Sequence, residues 1–239
     1  YRLAAMPLER DLAYYASVGR GASLQWLDLE PEQAARLAGR LAWNARPENA
    51  GYAYNYFTDN CSTRVRDALD EALGGALARH MQGRSQGNTF RSEAVRLARP
   101  APLMALGFDL GLGPSADRPN SLWDDAFVPM RLAASLRDIR LADGRPLVSS
   151  EEQLLPHRLA PEPEPRRVAW WPWLLAGLAL AGLAWSQRAR PRAVAAAALA
   201  FWLLCAAAGG LMLYIWLATE HRFGWANHNL LLLNPLCLL

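Results

Sequence analysis

Two uninterrupted apolar runs, Val168–Gln187 and Ala193–Ala218, constrain this chain more than any other feature. Neither carries a charged side chain, and each reaches the roughly 20 residues needed to cross a hydrocarbon layer about 30 Å thick. Trp170, Trp171 and Trp173 open the first run, and Tyr214 and Trp216 close the second, in the positions of interface anchors. Those two ends therefore belong on one side of a membrane. The short turn carrying Arg188, Arg190 and Arg192 belongs on the other. Arg158, Arg166, Arg167 and Arg222 flank the first side, so the arginine count alone leaves the orientation open. Ala206, Gly209 and Gly210 suit close packing of the second span against a neighbour. A third apolar run starts at Leu230 and is expected to begin a further, partial span.

The remaining sequence reads as a soluble α+β domain over residues 1–150 and a Pro-rich linker over 151–167, centred on Pro156–Pro165 (PHRLAPEPEP). The membrane region is expected over 168–239. The formal charge is only +3, with arginine but no lysine and no basic block, which gives no support to nucleic-acid binding. There is no CxxC and the four histidines are scattered, so no zinc pattern exists and neither metal nor cofactor is expected. Tyr1 is not an initiator methionine, and the soluble domain is read as N-terminally incomplete.

Cys205 and Cys237 lie in apolar segments, which leaves Cys61 as the one thiol of the soluble part. Its context is Tyr52–Leu73 (YAYNYFTDNCSTRVRDALDEAL). Alternating Tyr52, Tyr54 and Tyr56 predict a strand over 52–57. Val65, Ala68, Leu69, Ala72 and Leu73 predict one face of a helix that starts at Cys61 and stops at Gly74-Gly75. A thiol in a first helical turn meets unpaired N–H groups and the positive end of the helix dipole, which favour thiolate. The same N–H groups suit an oxyanion. On spacing alone, a half-buried structural cysteine is the commoner reading. Asp59 and Asn60 are good helix caps, or Asn60 holds a carbonyl oxygen. Tyr54 and Tyr56 read as core or pocket wall, and Arg64 and Arg66 as solvated or as headgroup contacts.

Elsewhere the patterning predicts helices over Pro7–Ser17 and over Pro31–Trp43, the latter with Leu37 and Leu41 inward, and a strand over Ser23–Asp28. His80–Asn88 reads as an exposed loop, and Thr89–Ala98 and Pro102–Leu110 as helices, the second short and apolar. Gly111–Asn120 is a loop without a phosphate-binding motif. Ser121 caps a helix carrying Trp123 and Phe127, Pro129 restarts it, and Ala142–Arg145 forms a hairpin turn.

Asp59-Asn60-Cys61 after an aromatic run, Gly107–Arg118 (GFDLGLGPSADR), and membrane-proximal His221, Asn227, Asn229 and Pro235 together resemble the Lnb-type bacterial lipoprotein N-acyltransferases. That resemblance implies a periplasmic thiol-enzyme domain, papain-like or NlpC/P60-like, followed by transmembrane helices in the bacterial inner membrane. It implies a Cys61 nucleophile that takes an acyl chain from a phospholipid donor and passes it to the lipidated N-terminal cysteine of a lipoprotein. Asp59, Asn60, Tyr54, His221 and Asn229 would support it. A thiol needs a base. His80 follows one helix later, His157 lies in the linker, and His221 and His228 lie just beyond the second span. The relatives of this fold imply a histidine upstream of Tyr1. A thiol peptidase or amidase acting on cell-wall peptides, and a non-enzymatic envelope protein, are the alternatives.

Overall fold

The computed structural model describes residues 1–3, 6–165 and 169–238. The chain divides into two compact units, Tyr1–Phe90 with Pro119–Pro161, and Arg91–Arg118 with the chain from Glu162 on.

In the first unit, α1 (Leu8–Ser17) leads through Gly19, at φ 75°, into β1 (Ala22–Leu27). Next come α2 (Pro31–Ala45), α3 (Cys61–Ala72) and α4 (Ala76–Met81). Pro31 sits at the first position of α2, where a missing N–H is harmless, and Glu30 and Gln33 close a reciprocal cap. α5 starts at Phe90. After the second unit's portion of chain, α7 (Leu122–Asp125) and α8 (Pro129–Asp138) follow, capped by Ser121 and opened by Pro129 as expected.

The core is helical. Leu69 and Leu73 from the α3 end, Leu77 and Met81 from α4, Leu122 and Ala126 from the α7 end, and Leu132 and Leu136 from α8 meet Ile139 and Leu147. Leu37 of α2 packs against this cluster, whereas Leu41 is exposed, contrary to the inward face expected for both. α2 is tied to α3 by polar bonds instead: Arg36 donates twice to the Ala72 carbonyl, at 2.9 and 3.2 Å.

The α+β class holds, but the sheet is not where the sequence suggested. β1 pairs antiparallel with β2 (Val148–Leu155), and this two-stranded ribbon is the only sheet among the described residues. β2 carries Ser149, Glu151 and Glu152 facing water, so it lacks the apolar alternation that would announce it. It also runs five residues past the boundary expected at residue 150. Residues 52–57 form no strand. Asn55 accepts from the N–H of Phe57 and of Thr58, and Asn55 and Asp59 exchange both backbone bonds, closing a tight loop where extended chain was expected. A papain-like or NlpC/P60-like arrangement, with the cysteine helix entered from a sheet strand, is not shown. The tyrosines stack locally, Tyr1 on Tyr54 at 4.4 Å and Tyr52 at 6.2 Å between ring centres.

The second unit holds most of α5 (Phe90–Ala98), α6 (Pro102–Gly111), a 3₁₀ turn at Pro114–Asp117, α9 (Trp171–Ser186) and α10 (Pro191–Ala218). With 28 residues, α10 is long and apolar enough to cross a membrane. α9 keeps the expected apolar run but has 16 helical residues, and Val168 lies outside the described residues. The partial third span expected from Leu230 is not a helix. His228–Leu231 and Pro235–Leu238 are 3₁₀ turns, because Asn227 and Asn234 bind the N–H groups of Asn229 and Leu236, and Pro235 interrupts any longer ladder. This stretch lies along α10, where a Cβ on Gly209 would run into the Leu233 carbonyl.

Candidate active site

Cys61 is the first residue of α3 and is exposed. Asn60 sets this position. Its Oδ1 accepts from Ser62 N at 2.8 Å and Thr63 N at 2.9 Å, and its own N–H donates to Thr63 Oγ1 at 2.8 Å. Its Nδ2 donates to the carbonyls of Tyr56 and Phe127, both at 2.9 Å. All the polar capacity of this 5 % exposed amide is therefore spent on structure. The oxyanion role entertained for Asn60 has no free hydrogen left to perform it. The cap leaves the Cys61 N–H open: among the described residues it has no partner. Thiol and free donor thus share one residue at a helix N-terminus.

Two further side chains hold α3 in place, Ser62, which no sequence pattern marks, and Arg66. Ser62 Oγ donates to Ala126 O at 2.7 Å, and Arg66 Nη1 to Trp123 O at 2.8 Å. The Arg66 guanidinium lies 3.9 Å from the centre of the Trp123 ring. With Asn60 on Phe127, the cap residue and two inward residues of α3 grip three carbonyls around the end of α7. Arg66 is buried, so it is neither the solvated arginine nor the headgroup contact that its sequence position suggested. Val65, expected inward, is exposed because Ser62, Thr63 and Arg66 take the inner positions of these first turns.

On the open side of Cys61 stand Tyr52 and Tyr54. Burial pushes both phenols above their ordinary pKa, and negative charge on the Cys61 thiol acts in the same direction. Arg64 stacks on Tyr52 at 4.1 Å and makes a two-pronged pair with Asp59 at 2.7 and 2.9 Å. Asp59 is thus an anchor for Arg64, and that hydrogen-bonded pairing raises the guanidinium pKa. Beside the pair runs a groove of about 380 Å³ lined by Arg40, Asn44, Thr58, Asp59, Arg64, Asp67 and Ala68. Its walls are mainly polar and suit a polar headgroup or peptide better than an acyl chain.

Cys61, Asp59, Asn60 and Tyr54 come together in the first unit. His80 does not join them. It lies in the last turn of α4, not in a loop, against Arg84, beyond the far end of a helix that is roughly 18 Å long at 1.5 Å per residue. His157 contacts the N–H of Gly21 and the carbonyl of Ala160. His221 and Asn229 belong to the second unit. Asn229 and the buried Asn227 both donate to the Leu110 carbonyl, at 3.0 and 2.6 Å, and Gly113 N donates to Phe223 O at 2.6 Å. A Cβ on Gly113 would strike the Trp225 carbonyl, which explains the glycine in that loop. The two downstream stretches singled out in the sequence, Gly107–Arg118 and His221–Pro235, are therefore partners in one structure. The His221 ring is exposed and has no hydrogen-bond partner among the described residues.

No curated protein and no solved structure matches the chain. Two family descriptions do: the Lnb N-terminal periplasmic domain over residues 1–94, and the Lnb transmembrane domain over residues 163–239. The first contains the Cys61 site and the second contains α9, α10 and the Asn227–Asn229 turn. The chain belongs to the Lnb family, a membrane protein with a periplasmic domain and a transmembrane domain.

Proposed function

We propose that this protein is a membrane-anchored cysteine acyltransferase that N-acylates the lipidated N-terminal cysteine of bacterial lipoproteins at the periplasmic face of the inner membrane. The observation that carries the reading is an exposed thiol beside its own unpaired N–H at a capped helix start, in a chain with both Lnb domains.

In this reading, Cys61 Sγ attacks the carbonyl carbon of a phospholipid ester as thiolate. The carbonyl oxygen becomes an oxyanion, which the Cys61 N–H and the α3 dipole stabilise. The intermediate collapses to a thioester, and the lysophospholipid leaves with a proton. The acceptor's α-amine then attacks the thioester, loses a proton on forming the amide, and returns the thiolate. Asn60 and Ser62 position the nucleophile. Tyr52 and Tyr54 wall the approach, and Arg64 and Asp59 border the polar groove. Neither His80 nor His157 is assigned as the base.

The test is mass spectrometry of a lipoprotein's N-terminal peptide in cells that depend on the full-length enzyme. Cys61→Ser should abolish N-acylation at normal expression. Undiminished acylation would sink the mechanism. Loss of cell-wall peptide cleavage in its place would identify a thiol hydrolase.

A further inference from the structure

α6 carries its apolar residues on the outside. Leu103 is 86 % exposed, Met104 59 % and Leu106 47 %, and no residue of the helix is buried. At 100° per residue, exposed Leu103, Leu106 and Gly107 fall on one side with exposed Met104 beside them, and partly covered Leu110 continues that line at the end of the helix. Ala105 and Phe108, on the other side, are partly covered. An amphipathic helix on a water-facing surface shows the reverse pattern. Scattered exposed leucines need no explanation, but a contiguous apolar ridge does.

The connections of α6 say what covers it. On one side, Arg96 and Arg99 of the preceding α5 turn donate to the carbonyls of Pro163 and Glu164, both at 2.6 Å, shortly before α9 begins. Arg96 is also paired with buried Glu93 and with Glu162. On the other side, the Leu110 carbonyl is held by Asn227 and Asn229, and Gly113 by Phe223, shortly after α10 ends. The segment carrying α6 is thus fastened both to the chain entering the first apolar helix and to the chain leaving the second. These are the same ends that Trp170, Trp171, Trp173, Tyr214 and Trp216 mark with exposed aromatic side chains, as at a membrane–water boundary.

We propose that α6 is an interfacial membrane helix, lying in the plane of the leaflet where α9 enters and α10 leaves, with Leu103, Met104 and Leu106 in the acyl-chain edge. Its occupant is the phospholipid bilayer itself, continuous with the bilayer around α10. Such a helix sinks its apolar face about 5–10 Å into the boundary between headgroups and chains. The assignment does not depend on acyl transfer and stands or falls separately from it.

The test uses the full-length protein in phosphatidylcholine–phosphatidylglycerol vesicles, with a single cysteine carrying an environment-sensitive fluorophore at Leu103, Leu106 or Ala105. Lipids with a nitroxide near the headgroup should quench the probe at Leu103 and Leu106 roughly twofold more than at Ala105, as a one-sided interfacial helix requires. Met104→Cys repeats the measurement on the same face, so a label that disturbs one position does not decide the outcome. Quenching of Leu103 and Leu106 by aqueous iodide instead would place the ridge in water and overturn the proposal. Protection from both quenchers would show it covered by protein, and would overturn the proposal equally.

Discussion

Asn60 Nδ2 donates to the carbonyl of Phe127 at 2.9 Å, while Oδ1 of the same side chain caps α3. One residue therefore both starts the helix that presents Cys61 and fastens that start to a segment distant in sequence. Losing an Asn cap costs about 1 kcal/mol, and leaving a buried carbonyl unpaired costs about 1–3 kcal/mol more. Asn60→Ala should accordingly destabilise the periplasmic unit by the sum of both, read as a lower urea midpoint at unchanged m. Asn60→Asp retains the cap acceptor but turns a carboxylate toward the carbonyls of Tyr56 and Phe127, and should be no better than alanine. An unshifted midpoint in either variant would contradict the double role.

Arg64 and Arg66 are two residues apart and have opposite fates. Arg66 is buried, bonded to the Trp123 carbonyl and stacked on its ring. Arg66→Ala should destabilise by about 1.5–3 kcal/mol, the range for a charged hydrogen bond. Arg66→Lys should recover only part, because lysine lacks the planar fork and the stacking face. Arg64 and Asp59 are each about a third exposed, so Arg64→Ala should cost at most about 1 kcal/mol. Thermal melts of the three variants check the order.

His80 offers a pH test. Burial, and after it the Arg84 charge, lower its pKa below the usual histidine value. The folded state therefore binds a proton less readily than the unfolded chain. Stability is full above about pH 6.5, the unfolded value, and falls as pH drops through the depressed folded pKa. His80→Gln should remove that acid-side loss, so its melting temperature should exceed that of the parent at pH 5 by more than at pH 7.5. N-acylation should be little changed, since His80 stands beyond the far end of α3 from Cys61.

What was legible in the sequence follows from how locally each feature is determined. The start of α3, its stop at Gly74, the Ser121 cap and the helix-opening prolines are written within a few neighbouring residues, and the structure has them. The aromatic strand failed because a single side chain, Asn55, competes for the backbone that a strand would use. β2 was missed because it is a half-exposed partner to one strand only, so its glutamates face water. Asn60 reads as a cap or a holder of a carbonyl oxygen, Ser62 carries no signal of its own, and Arg66 reads as solvated or a headgroup contact. Their reach to Phe127, Ala126 and Trp123 depends on long-range packing that no local pattern encodes. The likeness of Gly107–Arg118 and His221–Pro235 to one family was readable, but their mutual contact was not.

The chain after α10 rests on one glycine. Gly209 and Gly210 are neighbours in that helix, and by composition either would do for close packing. A Cβ at Gly209 would meet the Leu233 carbonyl and the Pro235 ring, whereas at Gly210 it would meet nothing within 4 Å. Gly210→Ala should therefore be neutral or gain up to about 1 kcal/mol of helix propensity. Gly209→Ala should cost about 1–3 kcal/mol by overpacking and push the Asn229–Pro235 stretch off the helix. The two alanine variants carry the same added methyl and differ only in what lies opposite it. Melting in detergent, together with the reactivity of a cysteine placed at Leu233, reads both effects. Equal behaviour of the two would show that residues 228–238 do not lie against α10.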